Sequence, residues 1–131
     1  MIIQIYEVQT SVEAQTLVDM GVDHIGSVLV SETQWMVPEL KETLEWVRSS
    51  PAKSSLIPLF NAADSVLRTI AYYRPDIIHF CEALTDRSDL KNFCRRLMDL
   101  QQEVKMRFPD VSIMRSIPDF RPPPRQSEWS A

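Results

Sequence analysis

The stretch TSVEAQTLVDMGVDHIGSVLV, residues 10–30, decides the fold class. Thr10, followed by Glu13 three residues later, forms the pattern of a capping box and predicts the start of a helix. Gly21 stands where that helix must end in a left-handed turn. The segment from Ile25 to Val30 is almost entirely apolar and β-branched, as in a strand buried on both faces. The stretch therefore predicts one helix-to-strand step of an α/β winding.

The same step recurs along the chain. Helices are predicted to begin at Pro38, after a cap at Asn61 and after a cap at Ser88. Further strands are predicted at residues 2–8, 56–60, 76–81 and 111–117. The order βαβαβαβαβ requires a parallel sheet with right-handed crossovers, so residues 1–117 are predicted to form one α/β domain. Residues 118–131 include three consecutive prolines and little that could be buried, which predicts a Pro-rich, disordered tail.

Two architectures fit this order. One is a (βα)4β5 half-barrel of the TIM-barrel type, in which the sheet is an arc of a closed barrel. The other is an open, doubly wound sheet of the flavodoxin type. The helix and strand pattern alone does not choose between them.

Composition excludes several classes of function. The net charge of −4 provides no basic field for nucleic acid, and no apolar run is long enough to span a membrane. Two glycines are too few for a loop that binds the phosphates of a dinucleotide or nucleoside triphosphate, so no cofactor is predicted. The two cysteines, Cys81 and Cys94, lack the spacing of a metal site, and no metal is predicted. Because the N-terminus lacks a charged leader, we expect a cytoplasmic protein with free thiols.

Residues 11–82 resemble the N-terminal half of phosphoribosylanthranilate isomerase, a TIM barrel of tryptophan biosynthesis. The matching features are the helix start SVEA, the segment GVDHIGSVLV, the loop TQWMVPE, the pair Phe60-Asn61 and the segment PDIIHFCE. The resemblance implies a half-barrel, since a full barrel has about 250 residues.

The chain also departs from that family at its functional positions. The first strand of the family ends in Cys-Gly-Ile-Thr, whose Cys is the general base; here the sequence is Ile5-Tyr6-Glu7-Val8, so that Tyr6 or Glu7, depending on register, replaces the thiol. Trp35 stands where the family has a substrate-binding Arg and is therefore a candidate ligand-binding residue. The Gln-Leu-His-Gly run of its fourth strand is replaced by His79-Phe80-Cys81-Glu82. The family's general acid and Gly-rich phosphate loops would fall beyond residue 131. The resemblance therefore implies a truncated, non-catalytic relative.

Candidate site residues follow the strands, because function in parallel barrels collects at the carboxyl ends of strands. Glu7 and Glu82 are candidate catalytic carboxylates for proton transfer, or solvated loop acids. His79 and Cys81 are candidate ligand-binding residues that could form a thiolate–imidazole pair, or a buried thiol beside a hydrogen-bonded imidazole. Arg115 interrupts an apolar strand and must reach solvent, a carboxylate such as Glu7 or Glu82, or an anionic ligand.

An incomplete barrel leaves strand edges that need a partner. A symmetric homodimer would complete or cover the sheet, and Trp35 in the loop before the second helix is either a contact with a partner or a lid over the strand ends. The sequence thus favours a non-catalytic homodimer. The alternative is an isomerase- or lyase-like enzyme that binds a small phosphorylated or otherwise anionic metabolite in a composite site.

Overall fold

Strands and helices alternate along the chain. The computed structural model describes residues 1–81 and 89–116. The elements are β1 (Gln4–Ile5), α1 (Ser11–Asp19), β2 (His24–Leu29), α2 (Pro38–Arg48), β3 (Lys53–Pro58), α3 (Ala63–Tyr73), β4 (Ile77–Phe80), α4 (Leu90–Arg107) and β5 (Ser112–Arg115). All strand pairs are parallel, and the strands lie in one sheet in the order β1-β2-β3-β4-β5. The predicted α/β class with a five-stranded parallel sheet is confirmed.

All four helices pack on one face of the sheet, which we call the helix face. Leu56, Ile78 and Phe80 point to it in register, and each is 0% exposed. They form one apolar cluster with side chains of α2, α3 and α4, and Ile25 extends this face to Ala14 of α1 through a second cluster. Burial of each large apolar side chain stabilises the fold by about 1.5–3 kcal/mol relative to an exposed one. Right-handed crossovers between neighbouring strands place every helix on the same side.

The alternate residues of the strands point the other way, to what we call the second face. In β2 and β3 these include the register pair Gly26 and Ser55, and in β4 they are Ile77 and His79. Ser55 is 0% exposed, Ile77 is 6% exposed and His79 is 5% exposed. The second face therefore buries small and polar groups beside apolar ones, whereas the strand residues in the two helix-face clusters are apolar.

Near the amino ends of the strands, two aspartate side chains accept hydrogen bonds from the backbone of the preceding strand segment. Asp23, one residue before β2, accepts a hydrogen bond from the backbone N–H of Ile3 at 2.8 Å. Asp76, one residue before β4, accepts one from the backbone N–H of Ser54 at 2.9 Å. In each case the aspartate satisfies a backbone donor at or just before the start of the preceding strand. The same kind of side-chain hydrogen bond thus links β1 to β2 and β3 to β4.

The helix start at Thr10 and the left-handed turn at Gly21 are confirmed, but the Glu13 carboxylate bonds to the Thr10 hydroxyl and not to the Thr10 N–H of a full capping box. The Thr10 hydroxyl accepts a hydrogen bond from the Glu13 N–H and caps α1, while the Glu13 carboxylate accepts from the Thr10 hydroxyl at 2.9 Å. Gly21 has a φ of 95°, the left-handed conformation expected after the helix.

Three local predictions were wrong. Asn61 does not cap α3: the residue before that helix is Ala62, which makes no side-chain cap. The first strand is shorter than residues 2–8 because Glu7 has a φ of 61° and interrupts the extended backbone. The third strand begins at Lys53 rather than Leu56, because its polar start pairs fully with β2.

Glu82, the cap predicted at Ser88 and the tail predicted for residues 118–131 lie outside the described residues. Among the described residues, none of the helices combines the length and the apolar character needed to cross a bilayer.

Candidate functional site

Tyr6, immediately after β1, lies across the second face. A Cβ atom on Gly26 would stand 2.8 Å from Cδ1 of the Tyr6 ring and 3.2 Å from the Ile5 carbonyl oxygen. Only a glycine therefore lets the ring pass over β2 at this distance. The Tyr6 side chain is 44% exposed, so one part of it packs on the sheet while another part faces solvent.

The Tyr6 ring reaches across to His79 on β4. The two ring centroids are 5.7 Å apart and the planes are inclined at 51°. On the other side of the imidazole, His79 Nε2 and Ser116 Oγ are 2.9 Å apart, a hydrogen bond whose donor depends on the tautomer. Tyr6, His79 and Ser116 thus form a row at the carboxyl ends of β1, β4 and β5, which we call the tyrosine–histidine–serine row.

Within this row, His79 and Ser116 are close enough to exchange a proton, while Tyr6 contacts the imidazole through its ring. An imidazole within hydrogen-bond distance of a hydroxyl can exchange a proton with it, and histidine is the commonest general acid or base in enzymes. His79 is buried while Ser116 is exposed, so Ser116 and Tyr6 stand between the imidazole and solvent. Nearby on the second face, the Ser55 hydroxyl is buried and has no hydrogen-bond partner among the described residues.

The loop after β1 is held by the side-chain amide of Gln9, which makes the two hydrogen bonds to β2 that a neighbouring strand backbone would make. Gln9 donates from Nε2 to the Val28 carbonyl at 3.1 Å, and its Oε1 accepts from the Val28 N–H at 2.9 Å. One residue earlier, the Val8 N–H donates to the Gly26 carbonyl, and the Val8 carbonyl accepts from the Ser27 hydroxyl. The chain therefore returns to β2 directly after Glu7, which leaves Glu7 exposed on a tight bend.

Arg115 does not share a face with His79. It is the register partner of Phe80, so it lies on the helix face, where its guanidinium stands 5.2 Å from the centre of the Phe80 ring. Its Nε donates to the side-chain carbonyl of Gln101 on α4. The structure therefore brings His79 together with Tyr6 and Ser116, and it places Arg115 on the opposite side of the sheet.

Trp35 is half-buried and packs against the apolar cluster of the helix face. Its ring contacts the edge of Tyr72 at a centroid distance of 5.4 Å, and the Arg68 guanidinium lies 4.7 Å above it. The Trp35 carbonyl accepts a hydrogen bond from the Tyr73 hydroxyl at 2.5 Å, and that hydroxyl accepts from the Val37 N–H at 2.8 Å. These contacts fasten the loop before α2 to α3.

Burial raises the pKa of the Tyr73 hydroxyl, and the nearby Tyr72 phenol contributes in the same direction, while the hydrogen bond from Val37 opposes it. The phenol is therefore held in its neutral form, which it needs in order to donate to Trp35.

The remaining candidates occupy separate places. Cys81 is exposed directly after β4 and forms no disulfide. Among residues 1–81 and 89–116 no three His, Cys, Asp or Glu side chains are grouped so that they could hold a metal ion.

Sequence reasoning identified His79 but missed Ser116, its hydrogen-bond partner, and Gly26, over which the Tyr6 ring lies. A signal for Gly26 existed, since a lone glycine in a β-branched strand indicates a close approach by another group. Ser116 gave no such signal, because a serine after a strand is common in any loop.

Comparison with protein-family models finds no match for this chain, and comparison with curated protein sequences finds no significant similarity.

Proposed function

We propose that this chain is a half-barrel of the phosphoribosylanthranilate isomerase type that lacks the isomerase residues and acts as a non-catalytic homodimer. The observation that carries the proposal is the strand order β1-β2-β3-β4-β5 with every helix on one face. A segment of a (β/α) barrel has this consecutive order. A flavodoxin-like sheet instead has the order 2-1-3-4-5 and helices on both faces.

The bend after β1 supports the resemblance to the isomerase family. It also supports the proposal that the catalytic Cys of that family is absent here. Glu7 adopts a φ of 61°, a conformation that glycine adopts without strain, which fits the register in which Glu7 replaces the Gly of the Cys-Gly-Ile-Thr motif. In that register Tyr6 replaces the catalytic Cys. Its bulky ring fills the space over Gly26, where the family would need a thiol and a substrate.

The exposed edge of the sheet supports self-association. β1 is an edge strand, and the isoleucines in and before it remain exposed: Ile2 by 68%, Ile3 by 42% and Ile5 by 38%. Parallel sheets are normally covered, and an apolar edge strand with unpaired backbone groups invites another strand. A second copy of the chain would bury these side chains and pair the edge. The proposed compartment is the cytoplasm, in keeping with two cysteines that form no disulfide.

Light scattering during size-exclusion chromatography tests the homodimer. The expected mass is about twice 15.2 kDa. Ile2→Lys combined with Ile5→Lys should give the monomer mass, because two charges on the edge oppose pairing. Val12→Lys is the matched control, since Val12 is 71% exposed on α1, away from the edge. A monomeric wild-type chain would refute the homodimer, and isomerase turnover by purified protein would refute the loss of catalysis.

The tyrosine–histidine–serine row favours a second candidate function. It is an isomerase- or lyase-like enzyme that acts on a small phosphorylated metabolite, with His79 as the proton-transfer group. Because Arg115 lies on the helix face, the anion would have to be held by other groups at the strand ends.

Proton NMR of the two histidines tests this second function. Titration with small sugar phosphates should move the His79 ring signals in a saturable manner, and Ser116→Ala should weaken the change. His24, which lies at the amino end of β2, is the internal control and should not move. Equal changes in both histidines, or none, would refute the second function.

A further inference from the structure

A cleft of about 550 Å³ lies at the amino ends of β4 and β5, at the end of the sheet away from the tyrosine–histidine–serine row. Three arginines line it: Arg48, Arg74 and Arg107. Its apolar lining includes Ile70 and Phe108. Small-molecule sites commonly have volumes of about 300–1,000 Å³, so the size fits a metabolite, and the charged side chains in the lining favour one that carries charge.

The fold brings the three arginines together from three different helices. Arg48 is the last residue of α2, Arg74 follows the last residue of α3, and Arg107 is the last residue of α4. Each helix runs back across the sheet between two parallel strands, so its last turn lies at the amino edge. The convergence is therefore a consequence of the winding, and the sequence separation of the arginines hides it.

The arginines differ in how far they are already engaged. Arg107 pairs with Glu103 on its own helix at 2.8 Å, and Nη2 of Arg48 donates to the backbone carbonyl of Arg74. The Arg74 guanidinium makes no hydrogen bond or ion pair with the described residues. It is the cation of the cleft with the most unused hydrogen-bonding capacity.

The acidic groups of the cleft leave this capacity available. Two aspartates face the same space, Asp76 and Asp110. Asp76 already accepts from the N–H and the hydroxyl of Ser54 through one carboxylate oxygen. Asp110 is exposed, and neither aspartate forms an ion pair with Arg74 among the described residues.

Arg74 also occupies the left-handed position at the end of α3, where glycine or asparagine is more usual. Its φ of 51° and ψ of 56° are left-handed, the conformation that glycine or asparagine commonly supplies after a helix. The following Pro75 disfavours a continued helical conformation, which explains why the turn is needed. It does not explain the arginine side chain, which costs strain where glycine would cost none.

We propose that this cleft binds a small organic oxyanion, a phosphate or carboxylate carried on an apolar body. Arg74 and Arg48 would hold the oxyanion, since a guanidinium presents paired donors that match two oxygens of either group. The apolar body would lie on Phe108 and Val111, which are half-buried in the wall of the cleft. The site is independent of the proposed function, because it lies at the other end of the strands.

A purely structural explanation competes with this proposal. Cations near the last turn of a helix interact favourably with the helix dipole, and all three arginines have that placement. The two explanations predict different results. Dipole compensation predicts that loss of an arginine lowers stability without any effect of anions. A binding site predicts a saturable anion effect that depends on Arg74.

Isothermal titration of the full chain with phenyl phosphate, benzoate and inorganic phosphate, at constant ionic strength, tests the proposal. At least one of the two aromatic anions should bind saturably and more tightly than inorganic phosphate. The tighter of phenyl phosphate and benzoate identifies the oxyanion. Equal affinity for phenyl phosphate and inorganic phosphate would overturn the assignment of an apolar body, and no saturable binding would overturn the site.

Arg74→Gly is the decisive variant. Glycine suits the left-handed turn, so the thermal midpoint should stay equal or rise, while affinity should fall roughly tenfold or more through loss of a charged hydrogen-bond donor. Arg95→Ala removes the same charge from an exposed position of α4 outside the cleft and should leave affinity unchanged. Unchanged affinity in Arg74→Gly, or an equal loss in Arg95→Ala, would overturn the proposal.

Discussion

The helix face and the second face of the sheet are built from alternate residues of the same strands, yet they are filled in different ways. On the helix face, Ile78 and Phe80 pack into a continuous apolar cluster with three helices. On the second face, His79 between them contacts an aromatic ring and a serine hydroxyl. Adjacent residues of β4 therefore serve different purposes: two contribute mainly burial, and one provides a group that can transfer a proton.

The two faces also differ in how their side chains are packed. On the helix face, large apolar side chains such as Ile78 and Phe80 fill the centre of the core, where lost volume is felt because protein interiors pack as densely as organic crystals. The second face is shaped by an absence of volume at Gly26, which admits the Tyr6 ring. Substitutions on the first face should act through lost burial, whereas substitutions on the second should act through the placement of Tyr6 and His79.

The largest expected effect is on the helix face. Ile78→Ala should lower the free energy of unfolding by about 2–5 kcal/mol, because Ile78 is 0% exposed and its removal leaves a cavity. His79→Gln, at the next position, should cost about 0.5–1.5 kcal/mol, the contribution of one hydrogen bond. Urea denaturation followed by circular dichroism measures both. If the two variants cost the same, the distinction between the faces is wrong.

The next effect tests the second face directly. Gly26→Ala should destabilise the fold by about 1–3 kcal/mol, because the added methyl meets the Tyr6 ring at 2.8 Å. The double variant with Tyr6→Ala should recover much of that loss, which a double-mutant cycle would show as a coupling energy.

Gly21→Ala is the matched control for this cycle. An added Cβ there meets no atom within 4 Å, and the cost comes from the φ of 95° alone. Tyr6→Ala should therefore not rescue Gly21→Ala. Additive behaviour of Gly26→Ala and Tyr6→Ala would contradict the close approach of the ring.

A smaller effect concerns pH and Tyr73, a buried residue of the helix-face cluster. The pKa of Tyr73 is raised in the folded state by burial, so the folded state binds its proton more tightly than the unfolded state does. That contribution to stability is complete below about pH 10, the unfolded value, and is lost as pH rises further. Wild-type protein should thus lose more stability between about pH 9 and pH 11 than Tyr73→Phe does.

Tyr72→Phe provides the comparison for this pH series. Tyr72 contacts Trp35 and Lys41 through its ring. Tyr72→Phe should reduce the alkaline loss of stability only in part, because burial, the largest cause of the raised Tyr73 pKa, remains. If Tyr73→Phe and wild type show parallel curves, burial of the Tyr73 hydroxyl does not contribute to the pH dependence.

The helix face could be predicted from the sequence because its signals are local. Helical spacing of Leu97, Leu100 and Val104 and the apolar run in β2 report directly on which residues are buried. Gly21 and the Thr10–Glu13 pair likewise depend on neighbours a few residues away. The order of the strands in the sheet is known only from the structure, since the periodicity of apolar residues does not specify which strands lie side by side.

The second face could not be predicted in the same way. The contact between Tyr6 and Gly26 depends on register across two strands, and the pair His79–Ser116 is separated by 37 residues. Arg115 shows the limit most clearly: its position in an apolar strand predicted contact with solvent, a carboxylate or an anionic ligand, and the sequence did not indicate that the register with Phe80 would bring it to Gln101 of α4. One residue of register decides the face, and sequence alone does not fix it.

The smallest effect concerns Glu7, where the backbone bends shortly after the end of β1. Glu7→Gly should change stability by between zero and about +1 kcal/mol, since relief of the left-handed conformation at a φ of 61° is partly offset by the greater entropy of glycine in the unfolded chain. Glu7→Ala, which removes the carboxylate but keeps the strain, should stay within about 0.5 kcal/mol of wild type. Thermal denaturation with both variants separates backbone from side chain. A gain in Glu7→Ala equal to that in Glu7→Gly would mean that the exposed carboxylate, rather than the bend, is the unfavourable element.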